Sequence, residues 1–169
     1  MTEPRYQEFK NCDLPTLVTE RAKVTVLAGE VLGVKSPVAT LPPVLFWDIE
    51  LQADAQFSAP VPAHFNIVIY VLSGRMTIGD ENKPVRPRQM AILNDGDALL
   101  VRAIGVNSRC LVVGGQPLNE PIARGGPFVM NTQEEIRQAM EDYTNSTNGF
   151  EKHEPKATAP GPGSSATNE

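Results

Sequence analysis

Residues 66–74 read NIVIYVLSG. β-Branched and aromatic residues dominate the run, and its length suits a strand better than a helix. Alternation along a strand puts Ile67, Ile69 and Val71 on one face and Val68 and Tyr70 on the other. Both faces are apolar, so both need cover. Working outward, the same signal recurs in KVTVLAGE (23–30), LFWDIEL (45–51), AQFSAP (55–60), RMTIG (75–79), QMAILN (89–94), ALLVRA (98–103) and RCLVVGG (109–115). In the first of these Val24, Val26 and Ala28 share a face. The breaks carry turn chemistry, Gly79-Asp80-Glu81-Asn82 and Asn94-Asp95-Gly96-Asp97. Short strands at regular spacing, with no helical pattern between them, predict an antiparallel sandwich or barrel.

One helix is expected, at the far end. In GPFVMNTQEEIRQAMEDYTNSTNGFE (126–151), Thr132 and Glu135 fit a capping box, and Glu134 and Glu135 place negative charge at the positive end of the helix. Ile136, Ala139, Met140 and Tyr143 then form one stripe, expected to pack on the barrel, and Asn148-Gly149 supplies a left-handed stop. The organisation expected is a polar lead-in over 1–21, a folded domain over 22–151 that includes the helix, and a disordered tail over 152–169, which lacks any large apolar residue.

Composition narrows the function classes. The chain has 169 residues, enough for one domain with a proper core. Twenty acidic against fifteen basic residues give a net charge of −5, which argues against direct binding to a nucleic-acid backbone. No apolar run has the length of a membrane span, and MTEPRYQEFK lacks a signal-peptide core, so no membrane partner is expected. Cys12 and Cys110 lie outside any Cys-x-x-Cys spacing, so reduced thiols in a cytoplasmic or nuclear protein are the expectation. Asn145-Ser146-Thr147 fits the glycosylation pattern only by chance on this reading.

The segments GPFVMNTQEEIRQA…NGFE, VTVLAGEVLGVKSPVAT, PVPAHFNIVIYVLSG, AILNDGDALLV and CLVVGGQPLNEPIARGGPF closely resemble, in this order, the second domain of the pirin family. The resemblance runs from about Arg5 to Glu151. It implies a mainly β fold, a cupin (RmlC-like jelly-roll) β-barrel with one C-terminal α-helix. Pirins have two such barrels, and only the second is represented here. The resemblance also implies iron and a quercetinase-like dioxygenase activity in the absent first domain, and a nuclear role as a redox-sensitive transcriptional cofactor.

A cupin metal site draws three histidines and a glutamate together inside the barrel, leaving positions open for dioxygen or substrate. When the family's spacing is anchored on Gly74, the glutamate position falls on Ile67. The His-x-His pair falls on Pro60 and Pro62, or on Val61 and Ala63 with the shorter gap. Leu99 takes the fourth position, after Asn94-Asp95-Gly96. No ligand position carries a ligand, so the expectation is no metal, no cofactor-binding residue and no catalytic residue in this chain.

The remaining chemistry is sparse. Of two histidines, His153 falls in the tail and His64 in the turn before the central strand, near the ligand positions but on none of them. Without a histidine to spare, no Ser-His-Asp or Cys-His arrangement can be built. Glu50 and Asp54 suit strand edges and turns, and Cys110 points into sheet packing, where a thiol is inert. Gly114-Gly115 and Gly125-Gly126 are expected to serve tight turns. Three readings follow. The first is a metal-free module that binds a protein partner or a second copy of itself. The second is half of a dioxygenase, its other half on a separate chain or lost upstream of Met1. The third is a small-ligand binder with an apolar pocket in its barrel.

Overall fold

The computed structural model of the protein describes residues 6–151; the tail expected over 152–169, with His153, lies outside them. The fold divides into two compact units, with the boundary after Leu118.

The first unit is built from two sheets. The six-stranded sheet runs β1 (Thr16–Val18), β2 (Ala22–Ala28), β5 (Val44–Leu51), β12 (Ser108–Gly115), β7 (Asn66–Ser73) and β10 (Met90–Ile92). The four-stranded sheet runs β6 (Gln56–Pro60), β11 (Ala98–Ala103), β8 (Met76–Ile78) and β9 (Lys83–Val85). A small hairpin, β3 (Glu30–Val31) and β4 (Val34–Lys35), follows β2. From β5 to β12 the chain passes back and forth between the two sheets, and every pairing is antiparallel. This is the jelly-roll topology. The sheets share no ladder. The roll is thus two facing sheets not closed by hydrogen bonds into a continuous barrel, and the cupin jelly roll expected from the sequence is the fold seen.

Alternation on both sheets feeds one core. Val24, Trp47, Ile49, Val112, Ile69 and Val71 come from the larger sheet, and Phe57, Ala59, Met76, Leu99 and Val101 from the smaller. Most of these side chains are wholly withdrawn from water, worth roughly 1.5–3 kcal/mol for each large aliphatic group. Each of the eight strand runs named above is a strand here. The lead-in expected over 1–21 is not merely polar chain. Residues 16–18 pair with β2, with Leu17 opposite Val24, and Leu17 packs against the core.

The second unit holds β13 (Ala123–Gly125), β14 (Phe128–Met130) and α1 (Gln133–Asn145). The predicted capping box is present. Thr132 Oγ1 accepts from the Glu135 N–H at 3.2 Å, and the Glu135 carboxylate accepts from the Thr132 N–H at 2.9 Å. Ile136 and Ala139 are buried. Met140 and Tyr143 are more exposed than a core stripe requires; Tyr143 sits edge-on to Phe128 and Phe150. The helix ends earlier than the Asn148-Gly149 signal, with Ser146 left-handed at φ 55° and its N–H bonded to Asp142 and Tyr143 carbonyls. Residues 128–130, just before the helix, form a strand. Gly126 turns the hairpin at φ 55°, as its sequence suggested, whereas Gly114-Gly115 lies within β12 and makes no turn.

Candidate functional site

The interior of the jelly roll bears on metal binding, because the resemblance implies an iron inside the corresponding barrel of the family's first domain. Ile67 on β7 and Leu99 on β11 both point inward and are buried. Pro60 and Pro62 are exposed, so the register that assigns them the His-x-His positions lands on the wrong face. In the alternative register Val61 is buried but Ala63 is exposed. The pair from that segment that does face the core is Ala59, opposite Leu99 across the β6–β11 ladder, and Val61. Alternation of faces decides this, and motif spacing alone does not capture it.

None of these inward side chains has a lone pair that would suit a metal. Among the described residues no three His, Cys, Asp or Glu side chains come together as a metal would need. His64 is exposed in its turn, edge-on to Phe65 at 5.1 Å between ring centres. The residues inside this fold therefore do not fit an iron of the kind the resemblance implies for the first domain.

Cys110 and Trp47 bring heteroatoms to the buried inner face of the larger sheet. Burial pushes the Cys110 thiol up to about 12, with a smaller push from the charge on Asp48. Such a thiol is neither nucleophile nor metal ligand at neutral pH. Trp47 Nε1 is shielded from solvent and has no hydrogen-bond partner among the described residues. One N–H donor cannot coordinate a cation.

The outer face of the same sheet is different. Cross-strand register builds two rows over β5, β12, β7 and β10. Phe46, Val113, Val68 and Ile92 form one, and Asp48, Leu111, Tyr70 and Met90 the next. Ile92 is 75% exposed, Met90 57% and Val113 43%, with Tyr70 and Leu72 also open to solvent. The one charge in these rows, Asp48, is turned to Arg109, whose guanidinium meets it through two hydrogen bonds. Lys23 and Glu50 pair one row further on, at 3.1 Å. The charges thus gather toward β2, leaving an uncharged apolar surface toward the edge strand β10. The sequence showed that Val68 and Tyr70 point outward. The contributions of Ile92, Met90 and Val113 depend on register and could not be read from it.

The Pirin C-terminal cupin domain is the family whose pattern this chain matches, over residues 46–149. Human pirin is 41% identical over 155 residues, covering 90% of this chain and 53% of that protein. A pirin-like protein of Solanum lycopersicum is 38% identical over 154 residues, again with 90% and 53% covered. The chain spans about half the length of the curated relatives it matches. Among solved structures, a quercetin 2,3-dioxygenase from Acinetobacter baumannii superposes with a TM-score of 0.79 at 32% identity, covering 87% of this chain and 51% of that one. GK1651 from Geobacillus kaustophilus gives 0.66 at 30% identity, with 71% and 50% covered. The domain match, which takes in most of the two-sheet roll and the capped helix, shows that this chain belongs to the pirin family.

Proposed function

We propose that this chain is a metal-free cupin module that acts by binding protein, in the manner of a transcriptional cofactor of the cytoplasm and nucleus. One contrast carries the reading. The interior presents Ile67, Leu99, Ala59 and Val61 where metal ligands would stand, while the outer face of the larger sheet leaves Ile92, Met90 and Val113 in water. A contiguous exposed apolar surface of this kind marks an interaction site more often than bare surface. The occupant we propose is a second copy. Two chains of net charge −5 repel, and they meet most cheaply where neither carries charge. A two-fold axis through the Tyr70–Val113 region would set this uncharged patch against itself.

Sedimentation velocity of the whole chain at micromolar concentration tests the proposal. A dimer is expected, and the double substitution Met90→Asp/Ile92→Asp should return it to monomer without loss of fold, because both side chains already face solvent. A monomeric parent, or a dimer indifferent to both charges, would sink it.

A second reading has its own observation. The chain matches only about half of its relatives, and its structural neighbour carries the name quercetin 2,3-dioxygenase. On that reading the metal-bearing half is another domain or chain, and this module is its scaffold. A binder of small ligands in the barrel interior is the least supported of the three, since the inward positions are filled by packed apolar side chains.

A further inference from the structure

We propose that the outer face of the four-stranded sheet binds a small organic oxyanion, a carboxylate or phosphate on an apolar body, between Arg75 and Arg86. The two arginines flank the β8–β9 pair. Met76 lies opposite Val85 and Thr77 opposite Pro84, and Arg75 and Arg86 are the residues that flank this short ladder at the same end, just outside the strands. Four cations of this acidic chain pair with carboxylates, Lys23 with Glu50, Lys83 with Glu81, Arg109 with Asp48 and Arg137 with Glu134, while several others, Arg88 and Arg102 among them, do not pair so among the described residues. Arg75 and Arg86 have no carboxylate partner among the described residues.

Both line one cleft of about 760 Å³, together with Thr77, Pro84, Val85 and Ile104. That volume falls within the range of roughly 300–1,000 Å³ typical of small-molecule sites. The lining is mostly apolar, with polar groups few and placed together. Thr77 is on the same strand face as Arg75, and its hydroxyl is shielded from solvent with no hydrogen-bond partner among the described residues. An oxyanion held by two guanidiniums would be a natural acceptor for that hydroxyl.

The backbones that carry the arginines are held firmly. Buried Ser108 accepts from the Arg75 N–H at 3.1 Å and lies 3.0 Å from the Arg75 carbonyl, to which its hydroxyl can donate. Gly74, at φ 83°, permits this approach, since a Cβ there would lie 2.2 Å from Ser108 Oγ. The Arg86 N–H donates to the Gln89 side chain at 2.8 Å, and the Gln89 N–H returns to the Arg86 carbonyl at 3.1 Å. Two arginines that line one cleft, each on a backbone held by hydrogen bonds, suit an anion better than a solvated surface does.

The test is a titration of the isotope-labelled full chain with benzoate and, separately, phenyl phosphate, followed by amide chemical shifts at constant ionic strength. Saturable shifts confined to residues 74–77 and 86–89 are expected with at least one of them, and the tighter binder names the headgroup. Arg75→Gln/Arg86→Gln should weaken binding on the order of tenfold or more, while Lys83→Gln should leave it unchanged. In anion-free, low-salt buffer the double variant should melt no lower than the parent, because it relieves repulsion; the bound anion should raise Tm in the parent only. Shifts that stay linear with both probes, affinity that survives the double substitution, or a double variant that melts well below the parent would each overturn the proposal.

Discussion

Ile67 and Gly114 stand opposite each other across the β7–β12 ladder, and a Cβ on Gly114 would come within 2.9 Å of Ile67 Cγ1. It would meet Leu45 Cδ1 at the same distance and the Asn66 carbonyl oxygen at 3.2 Å. The glycine is there because the inward side chains of both neighbouring strands converge on it. Gly114→Ala should therefore destabilise by about 1–3 kcal/mol through overpacking, read as a lower urea midpoint at unchanged slope. A midpoint equal to the parent's would show that Ile67 and Leu45 can move aside, and that the interior is looser than its burial indicates.

The two thiols should behave oppositely. Cys12 is exposed and Cys110 buried. At neutral pH a thiol-specific chromogenic reagent should titrate Cys12 quickly and reach Cys110 only in denaturant. Stability should carry the same signature. Folding raises the Cys110 thiol from its ordinary 9.0 to about 12. Below 9.0 the thiol is protonated in both states and imposes no penalty. Between 9.0 and about 12 only the unfolded state sheds the proton, so stability falls as pH rises through that window. Cys110→Ala should flatten this part of the alkaline stability profile. A slope equal to the parent's would assign it to other groups.

Much of the roll was legible because β2, β5, β7 and β12 alternate cleanly and are rich in Val, Ile and aromatic residues. The helix start was legible because a capping box is a local pattern. Shorter strands escaped for physical reasons. Lys83-Pro84-Val85 carries a proline that argues against a strand, yet β9 sits at a sheet edge where proline is tolerated. Phe128–Met130 is too short to show a period. The Pro60/Pro62 assignment failed because motif spacing counts residues, whereas a ligand must also be on the inward face. Arg75 and Arg86 come to line one cleft through the β8–β9 hairpin, and no local pattern announces it.

The capping box offers a pH-dependent readout. The hydroxyl of Thr132, then its N–H, holds the Glu135 carboxyl below its ordinary value. A depressed carboxyl stabilises the folded state above its unfolded pKa, and that contribution is lost as pH falls through the folded value. Helical ellipticity should thus decline with acid, and Glu135→Gln should blunt the decline. Thr132→Ala removes the other half of the box and should cost on the order of 1 kcal/mol of helix stability. Ellipticity unaffected by either substitution would mean that burial of Ile136 and Ala139 fixes the helix without its cap.

The last expectation concerns metal and oxygen together. A dioxygenase of this fold needs a redox-active ion, and an ion needs several donors converging on one point. Here Ile67 comes from β7, Leu99 from β11 and Ala59 from β6, and their hydrocarbon groups fill the space where donors would converge. A single polar replacement would not make a site. Leu99→His would supply one imidazole, bury a polar group without a partner, and lose packing, so it should destabilise by about 1–3 kcal/mol and still take up no metal. The parent chain, after dialysis against chelator and then against iron, zinc or nickel, should hold no stoichiometric metal by elemental analysis. Its oxygen uptake with quercetin should match a protein-free control. If one metal per chain survived dialysis, or if turnover followed added iron and vanished with chelation, the proposal of a metal-free binding module would fail. The module would then be catalytic through donors that Ile67 and Leu99 do not supply.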